Sequence, residues 1–406
     1  MIGRRGLLGS LGLSAAALAG APHMAAAAAR AATGHSVGEL EVFRLPINRR
    51  GDWLVLRLGT GRGALTGIGD ASHGGDDAAT IGWLKRFAGM LRGQSIFEIE
   101  RFRQQVAPIV AAERGASATV AASALEQCLW DLAGKALDVP VHTLFGGAVR
   151  NRIPLYANIN RSTEPRTPEG FAAMAARAVA AGFGAVKLAP FDAMPADLSR
   201  ARDVTPLIEQ GIASAAAVRK AIGPGRALLI DAHSRFHLDE GLALARRLEP
   251  LDLYWLEEVT PADPVEDLAA INRAAKMPTA GGEAIRGVGG FYPYLKASAV
   301  DIAMPDVKIC GGMLELRKIA ALAEGAGLQV SPHGPASPVG GLAAAHVAAV
   351  LPNFAILEHA FGEVPWRAEL LAPEEPIEEG TAKLALAPGF GFALEPRTLA
   401  RWGAKA

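Results

Sequence analysis

One periodicity constrains this chain more than any other feature. From residue 152 onward, short apolar runs that each close on a polar or charged side chain alternate with Ala- and Leu-rich stretches of helical spacing. The closing residues are Asn158, Lys187, Asp231, Glu257, Glu283, Asp306, His333 and Glu358, and from Asp231 they are separated by 26, 26, 23, 27 and 25 residues. A strand, a loop, a helix and a return loop occupy about that length, so the pattern predicts eight β/α units closing a barrel. The wider gap of 44 residues between Lys187 and Asp231 leaves room for an added loop with Pro190, Asp192 and Pro195. In such a barrel the C-terminal strand ends share one mouth, which is where barrel enzymes hold their chemistry.

The flanks lack this rhythm. Residues 39–75 alternate, as in Trp53-Leu-Val-Leu-Arg-Leu-Gly59, with a hairpin break at Gly61-Arg-Gly63. Residues 77–137 have helical spacing and stop at Val139-Pro140. After Glu363 the helical rhythm ends, and Pro388-Gly-Phe-Gly-Phe-Ala-Leu394 reads as a strand returning to the front unit. The predicted organisation is α/β: an α+β front unit over 33–151, a (β/α)8 barrel over 152–362 and a segment over 363–406 that returns to the front unit. A composition that is 50% hydrophobic and 20% charged supplies a core of that size and excludes disorder.

Residues 1–32 read differently again. No acidic residue precedes Glu39, and Arg4-Arg5 leads into a Leu/Ala/Gly run and an Ala-rich tract ending at Ala32. The run is too short and too Gly/Ala-rich for a membrane span, so it is expected to be a cleaved, twin-arginine-like export signal. The mature protein is then expected in the periplasm or secreted, free of the membrane, or in the cytoplasm should the leader not function. Without the leader, Lys+Arg number 38 against 41 Asp+Glu, and no basic patch invites nucleic acid. Cys128 and Cys310 both lie in apolar segments, which excludes a disulfide framework and a thiolate zinc site.

Asp231, Glu257 and Glu283 are expected to end three consecutive strands, so their carboxylates converge with no cation between them. Such anions repel unless a positive charge neutralises them, and an all-oxygen set suits Mg²⁺. On the next two strands Asp306 is expected beside His333. A buried Asp that accepts a hydrogen bond from one ring nitrogen fixes the tautomer and raises the basicity of the other, so His333 is a candidate general base.

These residues resemble the enolase superfamily, and within it the mandelate racemase subgroup. The motifs are Ala124-Leu-Glu-Gln-Cys-Leu-Trp-Asp-Leu-Ala-Gly-Lys135, Leu144-Phe-Gly-Gly147, Val186-Lys187, Tyr254-Trp-Leu-Glu257-Glu258, Gly281-Gly-Glu283, Met304-Pro-Asp306-Val-Lys-Ile-Cys-Gly-Gly312, Ser331-Pro-His333 and Leu357-Glu358. The resemblance implies a modified TIM (β/α)8-type barrel under an α+β capping domain built from the N-terminal segment and the C-terminal tail. It also implies one Mg²⁺ on Asp231, Glu257 and Glu283, an Asp306/His333 dyad, and Lys187 and a protonated Glu358 flanking a substrate carboxylate. In the muconate-lactonizing subgroup a lysine stands where this chain has Asp306, so that subgroup fits poorly.

Two departures shape the expected reaction. Many relatives carry Lys-x-Lys where this chain has Lys187-Leu-Ala189, and alanine takes no proton, which disfavours a two-base racemase. Two residues past Asp231, His233 resembles the histidine with which galactonate- and mannonate-type dehydratases protonate a departing hydroxyl. The expected activity is a hydro-lyase converting an aldonate or aldarate to a 2-keto-3-deoxy acid. Cycloisomerase or racemase/epimerase chemistry on the same scaffold is the alternative, as is an exported sugar-acid binder without catalysis. Substrate contacts are expected from Asn48, Arg49, Arg50, His73 and Arg235. The expected partner is a small carboxylate, and the expected assembly a homo-oligomer.

Overall fold

The computed structural model describes residues 35–49, 51–63, 65–195, 203–334 and 336–406. The expected leader and Arg50 lie outside these residues. Strands β1 (Val37–Asn48), β2 (Gly51–Thr60) and β3 (Thr66–Asp70) form an antiparallel meander. Helices α1 (Asp77–Leu91), α2 (Ile99–Ala112) and α3 (Ser117–Ala136) cover one face of it. Asp76 starts α1 by accepting the Ala79 N–H at 3.0 Å, a side-chain N-cap. Both faces of β2 are buried: Leu54, Leu56 and Leu58 join Leu84, Phe87 and Leu125 of the helices, whereas Trp53 and Val55 face the barrel's core. Period-two side chains that are apolar on both faces therefore mark a sheet sandwiched between two layers.

A short helix α4 (Val141–Leu144) leads into the barrel. Its strands are β4 (Arg152–Asn158), β5 (Ala185–Leu188), β6 (Ala227–Asp231), β7 (Trp255–Glu257), β8 (Thr279–Gly281), β9 (Ile302–Ala303), β10 (Gln329–Val330) and β11 (Leu357–Ala360). Neighbours pair in parallel from β4 to β10, β11 returns to β4, and a bridge between Val330 and Phe354 closes the ring. The intervening helices are α5 (Pro168–Ala180), α6 (Thr205–Ile222), α7 (Leu238–Leu248), α8 (Val265–Ala274), α9 (Gly287–Lys296), α10 (Met313–Gly325) and α11 (Pro338–Ala348). Among the described residues the barrel thus has seven such helices for eight strands. Tyr156, Leu229, Trp255 and Met304 pack together as an interior layer of the barrel, as strand alternation requires.

The tail departs from its expected form. Only β15 (Ala393–Leu394) of the 388–394 run is extended, pairing with β12 (Leu371–Ala372), because Gly389 and Gly391 turn the chain at φ 70° and 82°. The buried Asp131 takes the Phe390 N–H at 2.7 Å within that turn. A hairpin of β13 (Ile377–Glu378) and β14 (Thr381–Lys383) adds antiparallel to β4. Helix α12 (Pro396–Trp402), which the sequence pattern did not indicate, then precedes β16 (Ala404–Lys405), paired with β1. The last strand thus joins the cap and β14 the barrel.

Cap and barrel are clasped by buried polar groups. Glu126 of α3 accepts the N–H groups of Met313 and Leu314 at 2.6 and 3.2 Å, which caps the start of α10. Gly312 makes that approach possible: its φ is 101°, and a Cβ there would lie 1.7 Å from Glu126 Oε2. Asp70, at the end of β3, accepts from Ser337 N and Oγ at 2.9 and 2.7 Å and so holds the start of α11.

Candidate active site

The strand-end residues do gather at one mouth, with an offset at three of them. Asp231 and Glu257 end β6 and β7, and Lys187 and Glu358 lie within β5 and β11. Glu283 instead sits two residues beyond β8, and Asp306 and His333 three beyond β9 and β10. The late strands are only two or three residues long, so the chain leaves the ladder early. At β8 the break is at Gly282, whose φ of 107° turns Glu283 inward. Glu258 holds that turn by accepting the Gly282 N–H at 3.1 Å, and burial together with the charge of Glu283 pushes its carboxyl up to about 7.

One ligand atom from each of Asp231, Glu257 and Glu283 lies within 4.8 Å of the others. Cations do intervene, contrary to the sequence expectation. Lys187 Nζ is 2.8 and 3.1 Å from the Glu257 oxygens and 3.7 Å from Asp231, and His233 Nε2 is 3.0 Å from Asp231. Strand adjacency explains this, since Lys187 on β5 neighbours the β6 and β7 carboxylates. The compensation is incomplete. Glu283 Oε2 is buried without a hydrogen bond, standing 3.0 Å from His333 Nε2 but out of line with it. Burial, reinforced by the charge of Asp231, pushes Glu257 up to about 8. An orphaned carboxylate oxygen inside an all-oxygen set fits a hard divalent cation such as Mg²⁺.

Across the ring, four strands from β6, His333 Nδ1 pairs with Asp306 Oδ2 at 2.8 Å. Lys308 Nζ, 3.3 Å from the same oxygen, helps hold Asp306 well below the usual carboxylate range despite burial. Burial alone would depress His333, but Glu283, Glu358 and Asp306 raise it to about 9. At Glu358 burial opposes ionisation, yet the charges of Lys187 and His333 and N–H donors from Gly334 and Asn158 hold its carboxyl down to about 2.

The cavity between these groups measures about 340 Å³. Of the expected substrate contacts, His73 lines it; its φ is 64°, and burial, with the Arg161 and Lys308 charges, lowers it to about 2. Asn48, Arg49 and Arg235 are not part of the wall. Asn48 Nδ2 donates to Arg161 O at 3.5 Å, and Arg49 pairs with Glu164 at the surface. Arg235 follows the left-handed pair His233–Ser234 and does not line the cavity. Arg161, Asn160 and Arg286 line the cavity without having been singled out in the sequence, since none ends a strand. Asp192 is likewise new: from the added loop after β5 it pairs with His233 Nδ1.

Comparison with known proteins places this geometry. Residues 170–398 match the family model described as enolase C-terminal domain-like, and residues 49–146 that of the mandelate racemase / muconate lactonizing enzyme N-terminal domain. D-xylonate dehydratase of Haloferax volcanii is 32% identical over 84% of this chain and 83% of its own. A D-galactonate dehydratase family member of Streptomyces bingchenggensis is 32% identical over 86% of this chain and 90% of its own. The crystal structure of a mandelate racemase/muconate lactonizing enzyme-like protein from Rubrobacter xylanophilus superposes with a TM-score of 0.83 at 30% identity, covering 91% of this chain and 98% of that one.

Proposed function

Because this chain belongs to the mandelate racemase / muconate lactonizing enzyme family, we propose that it is a hydro-lyase that removes water from a sugar acid, leaving a 2-keto-3-deoxy acid. The observation that carries this reading is the pair of histidines on opposite sides of the carboxylate cluster, each already partnered by an aspartate: His333 with Asp306 and His233 with Asp192. β-Elimination of water needs one group to take a proton and another to give one. Alanine at 189 leaves the β5 strand end without a base.

Asp231, Glu257 and Glu283 would hold Mg²⁺, which on binding the substrate carboxylate supplies positive potential where the enediolate charge develops. Glu283, the carboxylate that does most to raise His333, would be turned to the ion, leaving Nε2 free to take the 2-proton, and Asp306 stabilises the resulting imidazolium through Nδ1–H. Glu358, ionised and 3.8 Å from the same Nε2, adds to that stabilisation. Lys187 donates to a substrate carboxylate oxygen as its pairing with Glu257 loosens. The C3–O bond then breaks, and His233 gives its Nε2 proton to the departing hydroxide, which leaves as water. The enol tautomerises to the 2-keto acid, C3 gaining a proton. His73, kept neutral, faces the substrate's hydroxyls.

The test is a screen of hexonates, pentonates and hexarates with Mg²⁺ for 2-keto acid formation. At least one should turn over with loss of water. A substrate converted without loss of water would instead assign isomerase or cycloisomerase chemistry.

A further inference from the structure

The loop after β5 carries a group that no strand-end pattern marks. Asp192 projects from that loop, and the structure gives it an unusually complete setting. Its Oδ1 meets His233 Nδ1, while its Oδ2 accepts from Arg166 Nη2 at 3.0 Å and Asn160 Nδ2 at 3.1 Å. Those two donors are themselves fixed. Arg166 also donates to Asn160 O at 2.7 Å, Asn160 Oδ1 at 2.8 Å and Ala189 O at 2.8 Å, and its guanidinium lies over the Phe171 ring at 5.0 Å. Asn160 Oδ1 accepts the Ala189 N–H at 3.3 Å. Two loops, after β4 and after β5, are thereby tied around one carboxylate oriented toward the imidazole.

The imidazole needs such a tie. His233 sits at φ 46° and Ser234 at φ 55°, consecutive left-handed residues whose backbone N–H groups go to Asp231 Oδ1 at 2.8 Å and Glu258 O at 2.6 Å, which fixes the turn but leaves the ring's orientation to its side-chain partners. Its ring has two nitrogens, and only one can face the cavity. With Nδ1 on Asp192, Nε2 is the nitrogen turned to the mouth, 3.0 Å from Asp231 Oδ2. A carboxylate partner sets which nitrogen is presented and the plane in which the ring lies.

We propose that Asp192 is the positioning residue for His233, aiming Nε2 at the leaving hydroxyl so that water loss, and not proton abstraction, depends on it. This rests on the donor role given to His233 above. The added loop therefore belongs to the acid half of the site, as Asp306 belongs to the base half. Replacing the carboxylate should slow one step of the reaction selectively, which loss of a merely structural contact would not do.

The experiment uses whole enzyme with Mg²⁺ and a substrate established by the screen. Asp192→Asn, Asp192→Glu, His233→Asn and Asp192→Asn/His233→Asn are compared by proton NMR in D₂O, scoring product formation and exchange of the substrate 2-proton separately. Asp192→Asn should lower kcat for dehydration by about 10- to 100-fold, the range for removing the partner that orients a functional histidine. The 2-proton exchange and KM should stay within about twofold of wild type, so the ratio of exchange to product rises. Asp192→Glu should recover part of the loss, and the double variant should be no slower than His233→Asn. Three results overturn the proposal alone: Asp192→Asn dehydrating as wild type does, exchange and dehydration falling together, or a further loss in the His233→Asn background. Wild-type dehydration by His233→Asn would remove the donor role itself, and the proposal with it.

Discussion

Glu283→Gln separates the metal-site reading from a structural one, because the two predict opposite changes without metal. With ligand oxygens within 4.8 Å of each other, each carboxylate pair repels by ~3.5 kcal/mol at an effective dielectric of 20. Above about pH 8, where Glu257 is ionised as well, neutralising Glu283 removes two such repulsions and forfeits the attraction to His333 Nε2 at 3.0 Å, worth ~5.5 kcal/mol by the same measure. The difference, on the order of 1–2 kcal/mol, favours the variant in EDTA. Added Mg²⁺ reverses the order. At a thousand times its Kd a ligand stabilises by ~4 kcal/mol, and with an unfolding entropy of ~0.8 kcal/mol/K for a chain of this size that is a rise in Tm of ~5 °C. Binding 100-fold weaker would leave the variant ~1.4 kcal/mol and ~2 °C at the same concentration. Differential scanning calorimetry in that pH range, in EDTA and at graded Mg²⁺, reads both quantities, and activity should be largely lost throughout. A variant that melts well below wild type in EDTA, or that gains as much from Mg²⁺, would show that Glu283 anchors the fold and does not bind the ion.

Three further outcomes concern the two site histidines, Glu126 and the buried His346. His333→Asn should abolish both 2-proton exchange and product, whereas His233→Asn should depress dehydration by about 10²- to 10⁴-fold and leave exchange measurable in D₂O. Glu126→Ala leaves the Met313 and Leu314 N–H groups uncapped and Arg103 short of a partner, and should cost about 2–4 kcal/mol in urea unfolding with the metal ligands intact. His346 is buried, its Nδ1 accepting the His142 N–H at 3.2 Å and its Nε2 facing Phe390 O at 3.3 Å, and burial lowers it from 6.5 to about 3. Protonation therefore favours the unfolded chain. Its contribution is whole above about pH 6.5 and is lost as the pH falls toward 3, so the urea midpoint should drop across that window and His346→Phe should flatten the drop.

What the sequence discloses here is whatever repeats. Asp231 and Glu257 were legible because each closes an apolar run at a constant interval, and the interval is set by the length of a β/α unit. Glu283, Asp306 and His333 carry the same interval, but their strands stop early, and no periodicity records where a ladder ends. What holds the Glu358 carboxyl low is Lys187 at 3.6 Å and the Asn158 side chain, the latter a contact between strands 200 residues apart. Asp192 and Arg161 lie in loops of no fixed length, so only the folded chain brings them to the cavity. Helix α12 and the turns at Gly389 and Gly391 were hidden for a related reason: tertiary partners such as Asp131, and not local pattern, decide their shape.

The pairing of β16 with β1 also sets a timetable. Phe43 and Arg44, near the start of the chain, meet Lys405 and Ala404 at its end. A ribosome makes the cap sheet and its helices first, and domains generally begin to fold in that order. Yet Phe43 and Arg44 on the outer side of β1 lack this partner until the barrel that lies between them in the sequence has also been made. Until then that stretch of β1 is an open edge of the kind that recruits neighbouring chains. The cap sheet is therefore completed only after the barrel has been synthesised, and removing Ala404 and Lys405 acts on β1, a strand made before the barrel.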